Sequence, residues 1–229
     1  MIEVKKETLA AEDEVLDIRD LTVHFVTENE TVEAVNGISI HLKKGEILGL
    51  VGETGAGKTT TALAILNLVP DPPGIIKSGT IRVCGKDMLS AAPRELEQIR
   101  GGDVSMIFIT HDLGIIAEIC DRVAVMYAGR IIEEGTLEEV FNHTKHPYTE
   151  GLFNSLPNIE DRTAKLYPIP GLMPDPTKLP AGCAFAPRCP YARPSCIETP
   201  QKARGFSSTH KVLCSAYDDP SFRIHREEA

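Results

Sequence analysis

The sequence predicts an α/β fold organised around a phosphate-binding loop, with an antiparallel β part before it and an irregular cysteine- and proline-rich extension after it. Three observations predict this. The stretch Gly52-Glu53-Thr54-Gly55-Ala56-Gly57-Lys58-Thr59-Thr60 fills every fixed position of the pattern GxxxxGK followed by Ser or Thr. It lies between a short apolar run, Glu46 to Val51, and a helical stretch, Lys58 to Val69, that stops at Pro70, Pro72, Pro73 and Gly74. Four of the six cysteines, Cys183, Cys189, Cys196 and Cys214, crowd a region where prolines are dense from Pro157 onward.

The residue types of the loop explain its chemistry. Glycines let the backbone turn its N–H groups inward on a polyanion, Lys58 supplies a point charge for the β and γ phosphates, and the Thr59 hydroxyl suits Mg²⁺. A strand before and a helix after place these amides at a helix N-terminus. Gly52 to Thr60 are therefore the candidate nucleotide-binding residues, with Thr59 also the candidate magnesium ligand.

Val15 to Val26 and Val32 to Leu42 show the alternation of half-buried strands, with Ile38, Ile40 and Leu42 facing one way and Ser39, His41 and Lys43 the other. They predict an antiparallel sheet. Phe25 ends the first strand, where an aromatic suits stacking on adenine, although a lone Phe is more often core. Gly79 to Val83 reads as a further strand followed by Cys84, a packed thiol, and Pro93 to Arg100 reads as a helix with Leu96 and Ile99 on one face. Val104 to Thr110 reads as a buried strand ending in His111-Asp112. Asp112 suits the cap of a helix whose inner face carries Leu113, Ile116, Ala117 and Cys120. A polar pair at the end of a central strand is where open α/β sheets put ligand-facing groups; the bland alternative is that His111 only finishes the strand. Val123 to Tyr127 and Arg130 to Glu134 flank Ala128-Gly129 as a hairpin, and Thr136 with Glu139 predicts a capping box. The domain boundary is expected near Pro157, separating residues 1–157 from 158–229.

Composition narrows the partners. A formal net charge of -9 argues against nucleic acid, because nothing offsets phosphate repulsion over a broad surface. The apolar runs are shorter than the roughly 20 residues that cross a bilayer. Met1 to Glu14 is charged and lacks a signal-peptide apolar region, so a cytosolic chain is expected. There, cysteines are metal ligands or core residues rather than disulfides.

Taken together, the phosphate loop, Ile109-Thr110-His111-Asp112, the run from Cys120 to Gly129 and His146-Pro147-Tyr148-Thr149 resemble the ATP-binding subunits of ABC transporters. Pro170-Gly171 and the segment Gly182 to Cys189 look like the C-terminal extension of the oligopeptide/dipeptide and nickel importer branch. The resemblance implies a P-loop NTPase fold of the ABC type, ATP and Mg²⁺ as ligands, and a place at the inner face of the cell membrane. It implies membrane permease subunits and a second ATP-binding subunit as partners. It also implies that His111 is the switch histidine at the γ phosphate, a catalytic role, and that Phe25 stacks on adenine.

The chain departs from the family after Ser105-Met106-Ile107-Phe108, where Ile109 stands in place of the expected glutamine and the switch-histidine stretch follows at once. The glutamine loop, helical subdomain, signature motif and Walker B strand are missing, and no apolar strand ending in Asp-Glu replaces the last; Ile131-Ile132-Glu133-Glu134 has too short an apolar lead and lies on a hairpin. Losing a catalytic carboxylate commonly costs several orders of magnitude in rate, so the expectation is impaired ATP hydrolysis. The missing block would also build most of the surface that receives the permease, and its loss leaves an apolar strand edge that predicts self-association.

Cys183, Cys189, Cys196 and Cys214 are separated by five, six and seventeen residues, without a CxxC knuckle. Such wide spacing suits the corners of a 4Fe-4S cube better than one zinc ion, and the basic excess around them offsets a thiolate cluster's negative charge. The resemblance points to the same cluster; zinc and empty thiols stay open. His210 is read as a surface histidine rather than a substitute ligand. The function that follows is an ATP-binding subunit of a peptide importer, impaired in hydrolysis. The alternative is a non-catalytic regulatory or assembly partner that binds nucleotide or an Fe-S cluster; a small P-loop kinase fits less well, having no arginine-rich lid and no use for the cysteines.

Overall fold

Alternating Val, Ile and Leu in two long segments build the first layer. The computed structural model describes residues 13–100, 113–155 and 168–225. In it β1 (Glu14–Val26) pairs antiparallel with β2 (Thr31–Lys43) on one side and with β4 (Gly74–Val83) on the other, and β5 (Lys86–Asp87) turns back to pair antiparallel with the end of β4. The predicted facing holds: Ile38 and Ile40 are buried, while Ser39, His41 and Lys43 are exposed. The third strand is longer than predicted, because Gly74 to Ser78 continue the pairing with the far half of β1. Cys84 is not packed; it is exposed at a φ of 49° in the turn between β4 and β5, a correction to the buried thiol read from its neighbours.

The second sheet has the order β3-β6-β7-β9-β8. β3 (Leu48–Val51) lies parallel to β6 (Arg122–Tyr127), which turns through Ala128-Gly129 into antiparallel β7 (Arg130–Thr136). Both turn residues have positive φ, 47° and 75°, as the tight hairpin requires. β3 starts two residues later than predicted, since the Ile47 N–H donates to the Asp121 carboxylate instead of a strand neighbour. From the extension, β9 (Lys211–Leu213) pairs with β7, and β8 (Ala203–Gly205) pairs with β9.

Helices cover these sheets. α1 (Lys58–Ile65) is shorter than predicted: the chain leaves the helix at Leu66 and Asn67 takes a φ of 49°, before the prolines are reached. α2 (Pro93–Gln98) buries Leu96, with Ile99 fully buried just beyond it. α3 (Leu113–Ile119) buries Leu113 and Ile116, and Cys120 follows, but Ala117 is exposed, contrary to the predicted inner face. α4 (Leu137–Asn142) starts with the predicted capping box of Thr136 and Glu139, and α5 (Pro147–Asn154) is capped by the His146 ring. A last short helix, α6 (Pro194–Glu198), carries Cys196. No helix among the described residues is long and apolar enough to cross a membrane. His111, Asp112, the junction at Phe108-Ile109 and the predicted strand before it lie outside the described residues.

Candidate functional site

The glycines of the phosphate loop adopt backbone shapes that side chains rarely tolerate. Gly52, Gly55 and Gly57 have φ of 149°, 85° and 105°. A Cβ on Gly52 would lie 2.3 Å from the Met126 carbonyl oxygen, and one on Gly57 would lie 2.5 Å from that of Ala34. The loop is thus wedged between β2 and the end of β6, with no room for another backbone path. Gly57 is the N-cap of α1 and supplies no side-chain bond, so the first amides of the helix remain open to an anion.

Lys58 is buried and folds back on the loop, its Nζ donating to the carbonyls of Gly52 (2.7 Å) and Glu53 (3.0 Å). Burial pushes its pKa down, opposed by the Glu53 carboxylate. Thr54, Gly55 and Thr59 are exposed, whereas Ala56 is buried and its N–H donates to Glu53. Phe25, Val32, Ala34 and Pro176 join Thr54 to Thr60 around a cavity of about 410 Å³. The structure therefore brings Phe25 to the phosphate loop.

The extension reaches the same loop. Arg188 Nη1 and Nη2 donate to both oxygens of Glu53 at 2.8 and 3.2 Å, Nη1 also to the Tyr127 hydroxyl at 3.2 Å, and Nε to the Pro170 carbonyl at 2.9 Å. The guanidinium side chain is only 6% exposed, and its pKa is raised chiefly by Glu53. From α5, the Tyr148 hydroxyl accepts the Glu53 N–H at 2.8 Å, and its ring packs against Tyr127 and Phe185.

All four clustered cysteines line one small cavity together with His146, Phe185, Tyr191 and Gln201. None is in a disulfide. Gly182 makes the convergence possible: a Cβ there would lie 2.2 Å from the Cys196 carbonyl, and the adjacent Cys183 N–H donates to that oxygen at 2.6 Å. Burial, with smaller effects from neighbouring thiols, pushes Cys189 up to about 12 and Cys214 up to about 11, and raises Cys183 as well. Thiols of this kind stay protonated near neutral pH, and a bound cation would displace the proton. Among the described residues, no three of these sulfurs lie within 4.8 Å of one another. His146 is fully buried and neutral, burial taking its pKa down to about 3, and its Nε2 faces the Leu213 backbone without reaching hydrogen-bond geometry.

His210 is not on the surface. It is 3% exposed and its Nε2 lies 2.9 Å from the Glu133 carboxylate, which is itself fully buried. The predicted reading weighed only the cysteine beside it and missed the acid across the sheet. Sequence reasoning counted Arg188 only in the basic excess around the cysteines, whereas it pairs with Glu53, and gave no role to Tyr148 or Pro176. The available signal was an arginine set between Pro187 and Cys189, in a segment otherwise made of apolar residues and cysteines.

The ABC transporter family matches residues 35–148, and the family described as oligopeptide/dipeptide transporter, C-terminal region, matches residues 132–196. The oligopeptide transport ATP-binding protein OppD of Bacillus subtilis is 30% identical over 312 aligned positions, covering 86% of this chain and 87% of the relative. The dipeptide transport ATP-binding protein DppD of the same organism is 28% identical over 320 positions, covering 90% and 96%. Both alignments are longer than the 229-residue chain, so part of each relative has no counterpart here. The solved structure of cbiO1 from Clostridium perfringens, part of the ABC transporter complex cbiONQ, is similar with a TM-score of 0.44 and 17% identity, over 57% of this chain and 91% of that one.

Proposed function

The chain belongs to the ATP-binding subunits of oligopeptide and dipeptide ABC transporters, and from that premise we propose that it binds MgATP as the nucleotide subunit of a peptide importer but hydrolyses it slowly or not at all. It would work at the inner face of the membrane beside permease subunits and a second ATP-binding subunit. The observation that carries the binding half is the loop, whose glycine geometry and uncapped α1 leave amides free for phosphate while Lys58 waits within it. Lys58 would exchange its two carbonyl bonds for phosphate oxygens, Phe25 would cover the base, and the Thr59 hydroxyl would hold Mg²⁺, which neutralises phosphate charge when bound. The hydrolysis half rests on the sequence, in which no apolar strand ends in Asp-Glu, and among the described residues β6, the strand parallel to β3, runs to Tyr127 without a carboxylate to polarise a water. Under this reading His111 contacts the γ phosphate, and residues 158–229 form the extension that holds a 4Fe-4S cluster.

Cys183, Cys189, Cys196 and Cys214 would hold that cluster, which supplies a cross-link between the turns that carry them. The missing carboxylate also favours a second reading, a non-catalytic nucleotide-binding or Fe-S-binding regulatory or assembly partner. Titration with a fluorescent ATP analogue and Mg²⁺ tests the first step: saturable binding abolished by Lys58→Ala is expected, and no binding by folded protein refutes it. Phosphate release that Lys58→Ala abolishes would refute the hydrolytic defect. Peptide uptake by membranes reconstituted with the permease separates the two readings, and iron and sulfide content, lowered by each Cys→Ser change, tests the cluster.

A further inference from the structure

We propose that Arg188 is a positioning residue of the nucleotide site: it holds the Glu53 carboxylate in place within the phosphate loop and links nucleotide binding to the state of the turn that carries Cys183 and Cys189. The inference rests on the nucleotide-site reading above. Glu53 is an anion inside a loop shaped for a polyanion, and an untethered carboxylate there would repel incoming phosphates. Arg188 removes that problem with a two-pronged ion pair, and its own freedom is small, since the Tyr127 hydroxyl and the Pro170 carbonyl fix the remaining face of the guanidinium. Tyr148 holds the Glu53 backbone from a second direction.

The root of Arg188 is equally constrained. The Ala186 N–H donates to Cys183, the Arg188 N–H to Phe185, and the Cys189 N–H to Ala186, so a single tight turn carries Cys183, Arg188 and Cys189. A change in spacing between Cys183 and Cys189 therefore moves the base of the arginine, and a shift of Glu53 on nucleotide binding pulls on the same turn. Coupling of binding equilibria is reciprocal: whatever the thiol turn does to nucleotide affinity, nucleotide does to the thiol turn by the same factor.

MgATP titration of the full chain supplies the test, with Arg188→Gln, Arg188→Lys, Glu53→Gln and the double variant Glu53→Gln/Arg188→Gln. Arg188→Gln is expected to weaken MgATP about tenfold, Arg188→Lys less, and the double variant to return to within about threefold of wild type, within the usual range of coupling between sites. An arginine that only anchors the extension would leave the double variant as weak as Arg188→Gln, which overturns the proposal. Arg188→Lys and the double variant keep the comparison open if Arg188→Gln fails to fold. In a Cys84→Ser background, which removes the exposed thiol, saturating MgATP is expected to change the rate at which a maleimide modifies Cys183 and Cys189 several-fold, and much less when the double variant is added. An unchanged rate with nucleotide demonstrably bound overturns the linkage alone, whereas failure of the wild-type chain to bind MgATP overturns the nucleotide-site reading and the proposal with it.

Discussion

Replacing Glu133 with Gln keeps the volume of a fully buried side chain but changes what it can accept. In the native structure Oε1 accepts the Lys145 N–H at 2.7 Å and sits 2.9 Å from His210 Nε2, while Oε2 accepts the His146 N–H at 3.0 Å. These bonds tie β7 to the link between α4 and α5 and to the extension. A glutamine offers one oxygen and one NH₂. With the oxygen toward Lys145 and His210, the amide nitrogen faces the His146 N–H; turned over, it faces the Lys145 N–H. Either way one buried backbone donor is orphaned, at about 1–3 kcal/mol, and the surviving bonds lose their ionic assistance, about 1 kcal/mol more. Glu133→Gln is therefore expected to lower unfolding free energy by about 2–4 kcal/mol with an unchanged denaturant slope, as read by guanidinium titration followed by circular dichroism. A variant within about 0.5 kcal/mol of wild type, near the scatter of ordinary surface substitutions, would refute the bond accounting.

Three further outcomes follow from the same geometry. His146 has its pKa lowered by burial from 6.5 to about 3, so the unfolded chain binds a proton in that interval that the folded chain does not; its contribution is present above pH 6.5 and is lost as pH falls. His146→Asn keeps an acceptor for the Tyr148 N–H without titrating, and its stability should fall less steeply between pH 6.5 and 4, by up to about 1.4 kcal/mol per pH unit; coincident slopes would count against a neutral buried imidazole. Gly57→Ala forces a Cβ against the Ala34 carbonyl at positive φ and should cost more than about 2 kcal/mol together with MgATP binding, checked by thermal melts and titration. Tyr148→Phe leaves the ring packed on Tyr127 and Phe185 but strips the Glu53 N–H of its acceptor, and a loss of about 1–2 kcal/mol in a denaturant melt is expected; a neutral result would mean that water replaces the hydroxyl.

What could be read in advance was local. The phosphate loop, the Ala128-Gly129 turn and the Thr136–Glu139 cap each follow from residue types a few positions apart, and each is present. What escaped depends on partners far apart in the chain. Arg188 meets Glu53 across 135 positions and His210 meets Glu133 across 77, distances over which no periodicity or motif spacing carries information. The same limit explains Cys84 and Ala117: both sit beside buried neighbours, and only the turn at one and the packing around the other decide their exposure. The end of α1 was misplaced because Asn67, not a proline, takes the left-handed step.

The tip of the β6–β7 hairpin accepts the Asn36 N–H at Gly129 and the Asn36 side-chain amide at Ala128, while the Gly129 N–H donates to Ala56 inside the phosphate loop. A cradle for phosphate exists, then, only in molecules whose first sheet has already met the second. Refolding should proceed at the same speed with or without nucleotide, while escape from the native state should become slower in its presence, the kinetic signature of a ligand that recognises the finished product and none of its precursors.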